Sequence, residues 1–303
     1  MKSALTRRPG SGYKLADAMW GYFFVAPVVI GLAVFYAFPF LQNIYFSFCE
    51  VDRFNRSSFI GLDNYREMFG SAELYQSTGN TFLYVLLTVP LGIFLAMIVA
   101  ALLNSKARGQ SAFRTLYYLP AITMPAAIAM VWKWIYNGNY GVLNEFLKLF
   151  GISGRNWLNE SATAMIAVAV VGIWSMVGYN MVILLAGMQG ISPSYYEAAQ
   201  IDGAGALACF FHITIPMLSP SIFFVLITSL ISGFQVFDTI YMMIGKTSLA
   251  YESTQSLVML FYRNAFDYGY KGYASAVSIY IFVIILLFTL IQFVAQKKWV
   301  HYE

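Results

Sequence analysis

The chain has 303 residues, a formal net charge of +4 and an apolar share of 59%, and only 11% of its residues are charged. A soluble domain carries about a quarter charged residues and under half apolar ones, so this composition excludes a water-soluble globule and indicates lipid-facing surface. The small net charge, with no basic stripe interleaved with aromatic residues, argues against nucleic-acid binding.

Six stretches are long and apolar enough to cross a bilayer, which takes about 20 residues each. In chain order they are residues 20–46, 80–103, 115–136, 163–188, 219–244 and 274–295. Pro120 and Pro125 in the third stretch, and Gly172 and Gly178 in the fourth, are potential helix breakers. Membrane helices tolerate such residues where neighbouring helices pack on them. The sequence therefore predicts an all-α membrane protein with six transmembrane helices.

Basic residues cluster in three short segments that an even number of spans places on one face. They are Lys2, Arg7, Arg8 and Lys14 at the start, Lys106, Arg108 and Arg114 in the second connection, and Lys297 and Lys298 at the end. Such clusters indicate the cytoplasmic side. The prediction is a cytoplasmic N-terminal segment (1–19), a transmembrane domain (20–296) and a cytoplasmic tail (297–303). Cys49 and Cys209 then fall on opposite faces, so we expect that they are not bonded to each other.

The connection formed by residues 189–217 is predicted to be cytoplasmic, yet it contains no Lys or Arg. Ser192-Pro193 is typical of a helix start with Pro at the first helical position. Gly203 permits a sharp bend after that helix. A structured loop that lacks orienting charge predicts a docking surface for a soluble partner.

The segment from Glu197-Ala198-Ala199 through Asp202-Gly203 to Ile213-Thr214-Ile215-Pro216 resembles the signature loop of permeases in binding-protein-dependent ABC importers. The one departure is Ile215, where Leu is commoner. The resemblance implies a cytoplasmic coupling helix that docks into an ATPase subunit. It assigns that contact to Glu197, Ala198, Ala199, Asp202, Gly203, Ile213 and Pro216.

Four further segments resemble the maltose/glycerol-phosphate-type carbohydrate branch of these permeases: residues 59–65, 113–120, 185–191 and 234–240. The resemblance implies a non-catalytic, multi-pass subunit of the bacterial inner (plasma) membrane. It also implies a second permease, most simply in a heterodimer, two ATPase subunits and an extracytoplasmic sugar-binding protein.

The resemblance further implies that this chain binds no cofactor, and that ATP and Mg bind at the partner ATPase subunits. Gly245-Lys246-Thr247 looks like the end of a phosphate-binding loop. That motif needs another Gly five residues before Gly245, and Ile240 stands there. The same segment departs from the Gly-Gly-Pro that family members often have after the fifth span.

A translocated sugar needs polar side chains and aromatic rings inside the bundle, because polar groups in lipid are costly unless they face a cavity or a neighbouring helix. The candidates for substrate binding are Trp174, Tyr179 and Asn180 in the fourth span and Ser229, Ser232 and Gln235 in the fifth. By resemblance, Tyr179 and Ser229 fall where the maltose-type permease contacts sugar. The alternative for each polar residue is helix packing or a bond to its own backbone.

Two other functions stay open: a permease of the same superfamily for a non-sugar solute, and an ion-coupled secondary carrier. A carrier predicts ionisable residues in the middle of spans and an internal repeat. The sequence shows neither. An enzyme would need a reactive constellation, and with His212 and His301 as the two histidines the sequence offers no His-based metal site or hydrolase triad.

Overall fold

A computed structural model of the chain describes residues 11–51, 56–104 and 109–301, and side chains from residue 17 onward. Lys2, Arg7, Arg8, Lys106 and Arg108, on which the predicted orientation partly depends, lie outside these ranges. Among the described residues, four helices are long and apolar enough to cross a membrane: Asp17–Ser47 (span 1), Ala72–Leu103 (span 2), Ser161–Gly190 (span 4) and Lys271–Lys298 (span 6).

Two bent helix pairs bring the number to six, as predicted. Span 3 consists of Gln110–Ile122 and Pro125–Ile135, which meet at 100°. Span 5 is Ser219–Phe234, and the helix Ala206–Met217 leads into it across a bend of 67°.

Shorter elements fill the connections. Two antiparallel strands, β1 (Cys49–Val51) and β2 (Ser57–Phe59), pair Cys49 with Phe59. The short helices are Asp63–Gly70, Val142–Lys148, Pro193–Ile201, Asp238–Met243, Tyr251–Thr254 and Leu257–Tyr262. π-Helical turns cover Ala33–Ala37 in span 1, Phe210–Thr214 and Arg263–Tyr268, and a 3-10 turn covers Gln296–Lys298 at the end of span 6. The small hairpin was not predicted, because three-residue strands leave little periodic signal.

Spans 2, 4 and 5 form the centre of the bundle through buried aliphatic side chains such as Val89, Met181 and Val225. Gly172 and Gly178 do not break span 4. A Cβ on Gly172 would overlap the Tyr84 hydroxyl, and a Cβ on Gly178 would overlap the backbone oxygen of Tyr117. Both glycines therefore serve the close approach of neighbouring helices, which is common in membrane bundles.

The predicted third span, 115–136, is corrected to two helices. Met124 has an extended conformation (φ −57°, ψ 128°), and Pro125 begins the second helix. A residue before proline is sterically disfavoured from the helical region, so the chain turns at Thr123–Met124.

The predicted fifth span, 219–244, is also corrected, because its helix ends at Phe234. The next helix, Asp238–Met243, is separate, and Val236 lies in the break between the two. The buried Ser256 hydroxyl donates a hydrogen bond to the Val236 oxygen at 2.7 Å. A side chain from a distant segment thus satisfies a carbonyl that the broken helix leaves free.

The second half of span 1 contacts the rest of the bundle. Phe40 packs on Phe282 of span 6 with ring centroids 5.1 Å apart, and the Asn43 amide donates to Ser278 Oγ at 3.2 Å. No residue of the most apolar 18-residue window of this span is buried. Cys49 and Cys209 are both free and buried, so they are not bonded to each other, as predicted.

Candidate functional site

The signature loop begins with the helix Pro193–Ile201. Ser192 occupies the N-cap position and Pro193 the first helical position, as the sequence predicts. The Ser192 hydroxyl contacts the Ser194 hydroxyl at 2.8 Å and makes no hydrogen bond to the helix backbone. Proline supplies the start signal here, because its ring fixes a helical φ and its missing N–H costs nothing at this position.

The helix ends in a paired capping arrangement around Gly203, which has a φ of +80°. The Gly203 N–H donates to the Gln200 oxygen at 3.0 Å, and the Ala204 N–H donates to the Ala199 oxygen at 2.9 Å. Both bonds satisfy carbonyls that a helix end leaves without partners. A Cβ at position 203 would have open space around it, so steric room does not require glycine. The left-handed backbone does, because a residue with a side chain would be strained in that conformation.

A second helix, Ala206–Met217, carries the rest of the motif. Ile213 lies half-buried within its π-helical turn, and Pro216 lies in its last turn. The Tyr196 hydroxyl of the first helix contacts Thr214 Oγ1 of the second at 3.0 Å. This contact joins the two helices, so the loop is a folded unit with two arms.

The exposed surface of the loop combines acids and apolar side chains. Glu197, Ala198 and Asp202 are exposed, and Ala199 is half-buried. Beside them the side chains of Ile201, Leu207 and Phe211 are 87%, 76% and 60% exposed. The sequence analysis did not single out these three residues, although large apolar residues in a loop outside the spans are a signal for contact with a partner.

Two of the predicted substrate residues bind each other. The buried Asn180 amide of span 4 donates to the buried Ser229 hydroxyl of span 5 at 3.0 Å. Within this chain the pair fastens span 4 to span 5, as interhelical polar pairs do in membranes.

The other candidates lie on different faces. Trp174 is 44% exposed and packs edge-on against Trp132, with ring centroids 5.7 Å apart, in an apolar groove of about 710 Å³. Tyr179 is 47% exposed and lies about 140° further round span 4, since each helical residue turns about 100°. Ser232 and Gln235 are exposed at the far end of span 5.

The face opposite the signature loop is held by a polar network around Arg263. The Arg263 guanidinium donates to Glu73 Oε1 and to Gln255 Oε1, each at 2.6 Å, and to the Tyr268 hydroxyl at 2.5 Å. It also lies over the rings of Tyr251 and Tyr268, 5.3 Å from each centroid. Burial raises the pKa of Tyr251, which keeps that hydroxyl neutral. The network ties the start of span 2 to the connection between spans 5 and 6.

Across the described residues, no three His, Cys, Asp or Glu side chains come together as a metal site.

Comparisons with known proteins agree with this architecture. Residues 81–301 match the family described as the binding-protein-dependent transport system inner membrane component. The probable ABC transporter permease YesP of Bacillus subtilis is 39% identical over 95% of this chain and 93% of its own length. The trehalose/maltose transport system permease MalF of Thermococcus litoralis is 32% identical over 93% of this chain and 95% of its own.

A solved structure has the same fold. A chain of a bacterial ABC transporter involved in the import of the acidic polysaccharide alginate superposes with a TM-score of 0.85, covering 95% of this chain and 99% of that one, at 22% identity.

Proposed function

Because the chain belongs to the family of inner-membrane components of binding-protein-dependent transport systems, we propose that it is the permease subunit of an ATP-driven importer of a sugar or oligosaccharide. The observation that carries the substrate class is the relative from Thermococcus litoralis, whose name assigns it trehalose and maltose transport and which aligns over nearly the whole chain. The full-length alignment matters because it includes spans 4 and 5, where the candidate substrate residues lie.

The complete importer in this proposal holds a second permease, most simply a different one, so that the two form the translocation pathway as a heterodimer. Two ATPase subunits bind ATP and Mg and hydrolyse the nucleotide, and an extracytoplasmic binding protein delivers the sugar. The signature loop and both chain termini face the cytoplasm. The Arg263 network then lies on the extracytoplasmic face, where the binding protein docks.

The signature loop is the ATPase contact in this proposal, and its exposed apolar tip supports that role. Ile201, Leu207 and Phe211 would otherwise face water. Their burial in a groove of the ATPase would supply affinity, and exposed Glu197 and Asp202 would meet basic residues at the rim. Closure of the ATPases on ATP moves the docked loop, and the spans switch the pathway between inward and outward access.

Sugar contacts come from side chains that this chain itself leaves uncovered. Tyr179, Ser232 and Gln235 fit best, because an aromatic ring can pack on the apolar face of a sugar and the Ser and Gln side chains can bind its hydroxyls. Asn180 and Ser229 support the pathway wall through their mutual bond. Trp174 lies in the apolar groove and contributes to the pathway by packing on Trp132.

The experiment that tests the proposal is co-purification in mild detergent, followed by transport in proteoliposomes that contain the binding protein. We expect an ATPase subunit and a second permease to accompany this chain, and we expect Glu197→Lys to lose the ATPase. Glu67→Lys is the matched control for ATPase retention, because Glu67 is also exposed but lies on the opposite face. Labelled oligosaccharides and amino acids offered side by side distinguish a sugar importer from a permease for another solute.

Transport by this chain without ATP or an ATPase subunit would refute the proposal and favour an ion-coupled carrier. Retention of the ATPase by Glu197→Lys, together with normal uptake, would refute the role of the loop.

A further inference from the structure

The hydroxyl of Ser219 joins three parts of the molecule at the bend between the signature loop and span 5. Its side chain is 2% exposed. The Ser219 hydroxyl donates to the Pro216 backbone oxygen at 2.6 Å and accepts from the His301 backbone N–H at 2.9 Å. The first bond reaches the last turn of the loop, and the second reaches the chain after span 6. Ser219 therefore lies at the 67° bend itself, so a change of the angle between the two helices would alter its contacts.

Aromatic packing holds the same tail segment against span 5. The Trp299 ring lies edge-on to the Phe223 ring, with centroids 6.1 Å apart, and Phe223 also packs edge-on against Phe293 of span 6 at 5.6 Å. Phe223 is buried. One turn above the bend, the tail thus makes a second, independent contact.

Span 4 packs against the bend between the signature loop and span 5. Leu218, the residue between the two helices, is 1% exposed. A Cβ on Gly187 of span 4 would overlap the Ser221 hydroxyl and crowd the Leu218 side chain. The start of span 5 is therefore packed closely on span 4. Because close-packed interiors compress little, a displacement of the bend is passed on to both spans.

We propose that residues 299–301 form a positioning strap that holds the signature loop at a fixed angle to spans 5 and 6. This inference rests on the proposed role of the loop in coupling. With the strap in place, a displacement of the docked loop moves both spans. Without it, the bend absorbs part of the displacement, and ATP is hydrolysed without a matching movement of sugar.

A matched pair of variants tests the strap at one atom. His301→Pro removes the backbone N–H that Ser219 accepts, whereas His301→Ala removes the side chain and keeps that N–H. The readout is the number of ATP molecules hydrolysed per sugar imported in proteoliposomes with the whole importer. We expect His301→Pro to raise this ratio about twofold to tenfold, the range by which one hydrogen bond shifts a two-state equilibrium, and His301→Ala to leave it near the parental value.

Trp299→Ala and Trp299→Phe form a second pair for the ring contact. The alanine variant should raise the ratio and the phenylalanine variant should restore it, which a general loss of stability would not produce. Equal ratios for His301→Pro and His301→Ala, together with no effect of Trp299→Ala, would overturn the strap. The coupling role of the loop is judged separately by Glu197→Lys, so a failure there and a failure of the strap are distinguishable.

Discussion

Ile201 is the most exposed large apolar side chain in the signature loop, at 87%, and its truncation should weaken ATPase docking measurably. Ile201→Ala removes three methylene-sized groups, and burial of each is worth about 0.8 kcal/mol. The loss is therefore about 2.4 kcal/mol if docking buries the side chain fully, which corresponds to roughly 50-fold weaker binding.

The assay titrates purified ATPase subunit onto the permease pair in lipid nanodiscs and compares dissociation constants. Leu249→Ala is the matched control, because Leu249 is 80% exposed but lies in the connection between spans 5 and 6, on the opposite face. The dissociation constant of the ATPase from the Leu249→Ala variant should equal that from the parent. An unchanged constant for Ile201→Ala would refute the idea that the apolar tip is buried by the ATPase.

Two further predictions concern the bundle. Gly178→Ala should reduce the free energy of unfolding by about 1–3 kcal/mol and lower the melting temperature in detergent, because the new methyl group meets the Tyr117 backbone, which cannot rotate away. Gly79→Ala is the control and should be neutral or stabilising, because a Cβ there has nothing within 4 Å. A double-mutant cycle on Asn180→Ala and Ser229→Ala should give a coupling energy of about 0.6 kcal/mol in unfolding experiments, and a value of zero would contradict the hydrogen bond between them.

The number of spans was predictable because each carries a long apolar run, and that signal needs no knowledge of neighbours. The boundaries of the helices were less predictable than their number. Span 2 begins at Ala72, eight residues before the predicted start at residue 80, since a helix continues through polar residues that the hydropathy signal excludes. The end of span 5 at Phe234 depends partly on Ser256, which lies far along the chain and which no local pattern connects to Val236.

In the signature loop, the residues that shape the backbone were predictable and the long-range contacts were not. The helix start at Pro193 and the left-handed Gly203 follow from local conformational preferences. The bond between Ser219 and His301 joins residues 82 positions apart, and serine in a helix carries no mark of its partner. The same holds for Asn180 and Ser229, whose residue types indicate polarity but not which group satisfies it.

Span 1 is held to the described part of the chain at one end, and its other end presents an uncovered apolar surface. Its 31 residues extend about 46 Å as a helix, against a hydrocarbon thickness of about 30 Å. The second half is fixed to span 6 by Phe40 and Asn43, whereas no residue of the most apolar 18-residue window is buried by the described part of the chain. The apolar surface of this half is therefore left for lipid or for the second permease of the proposed importer, where helices pack closely.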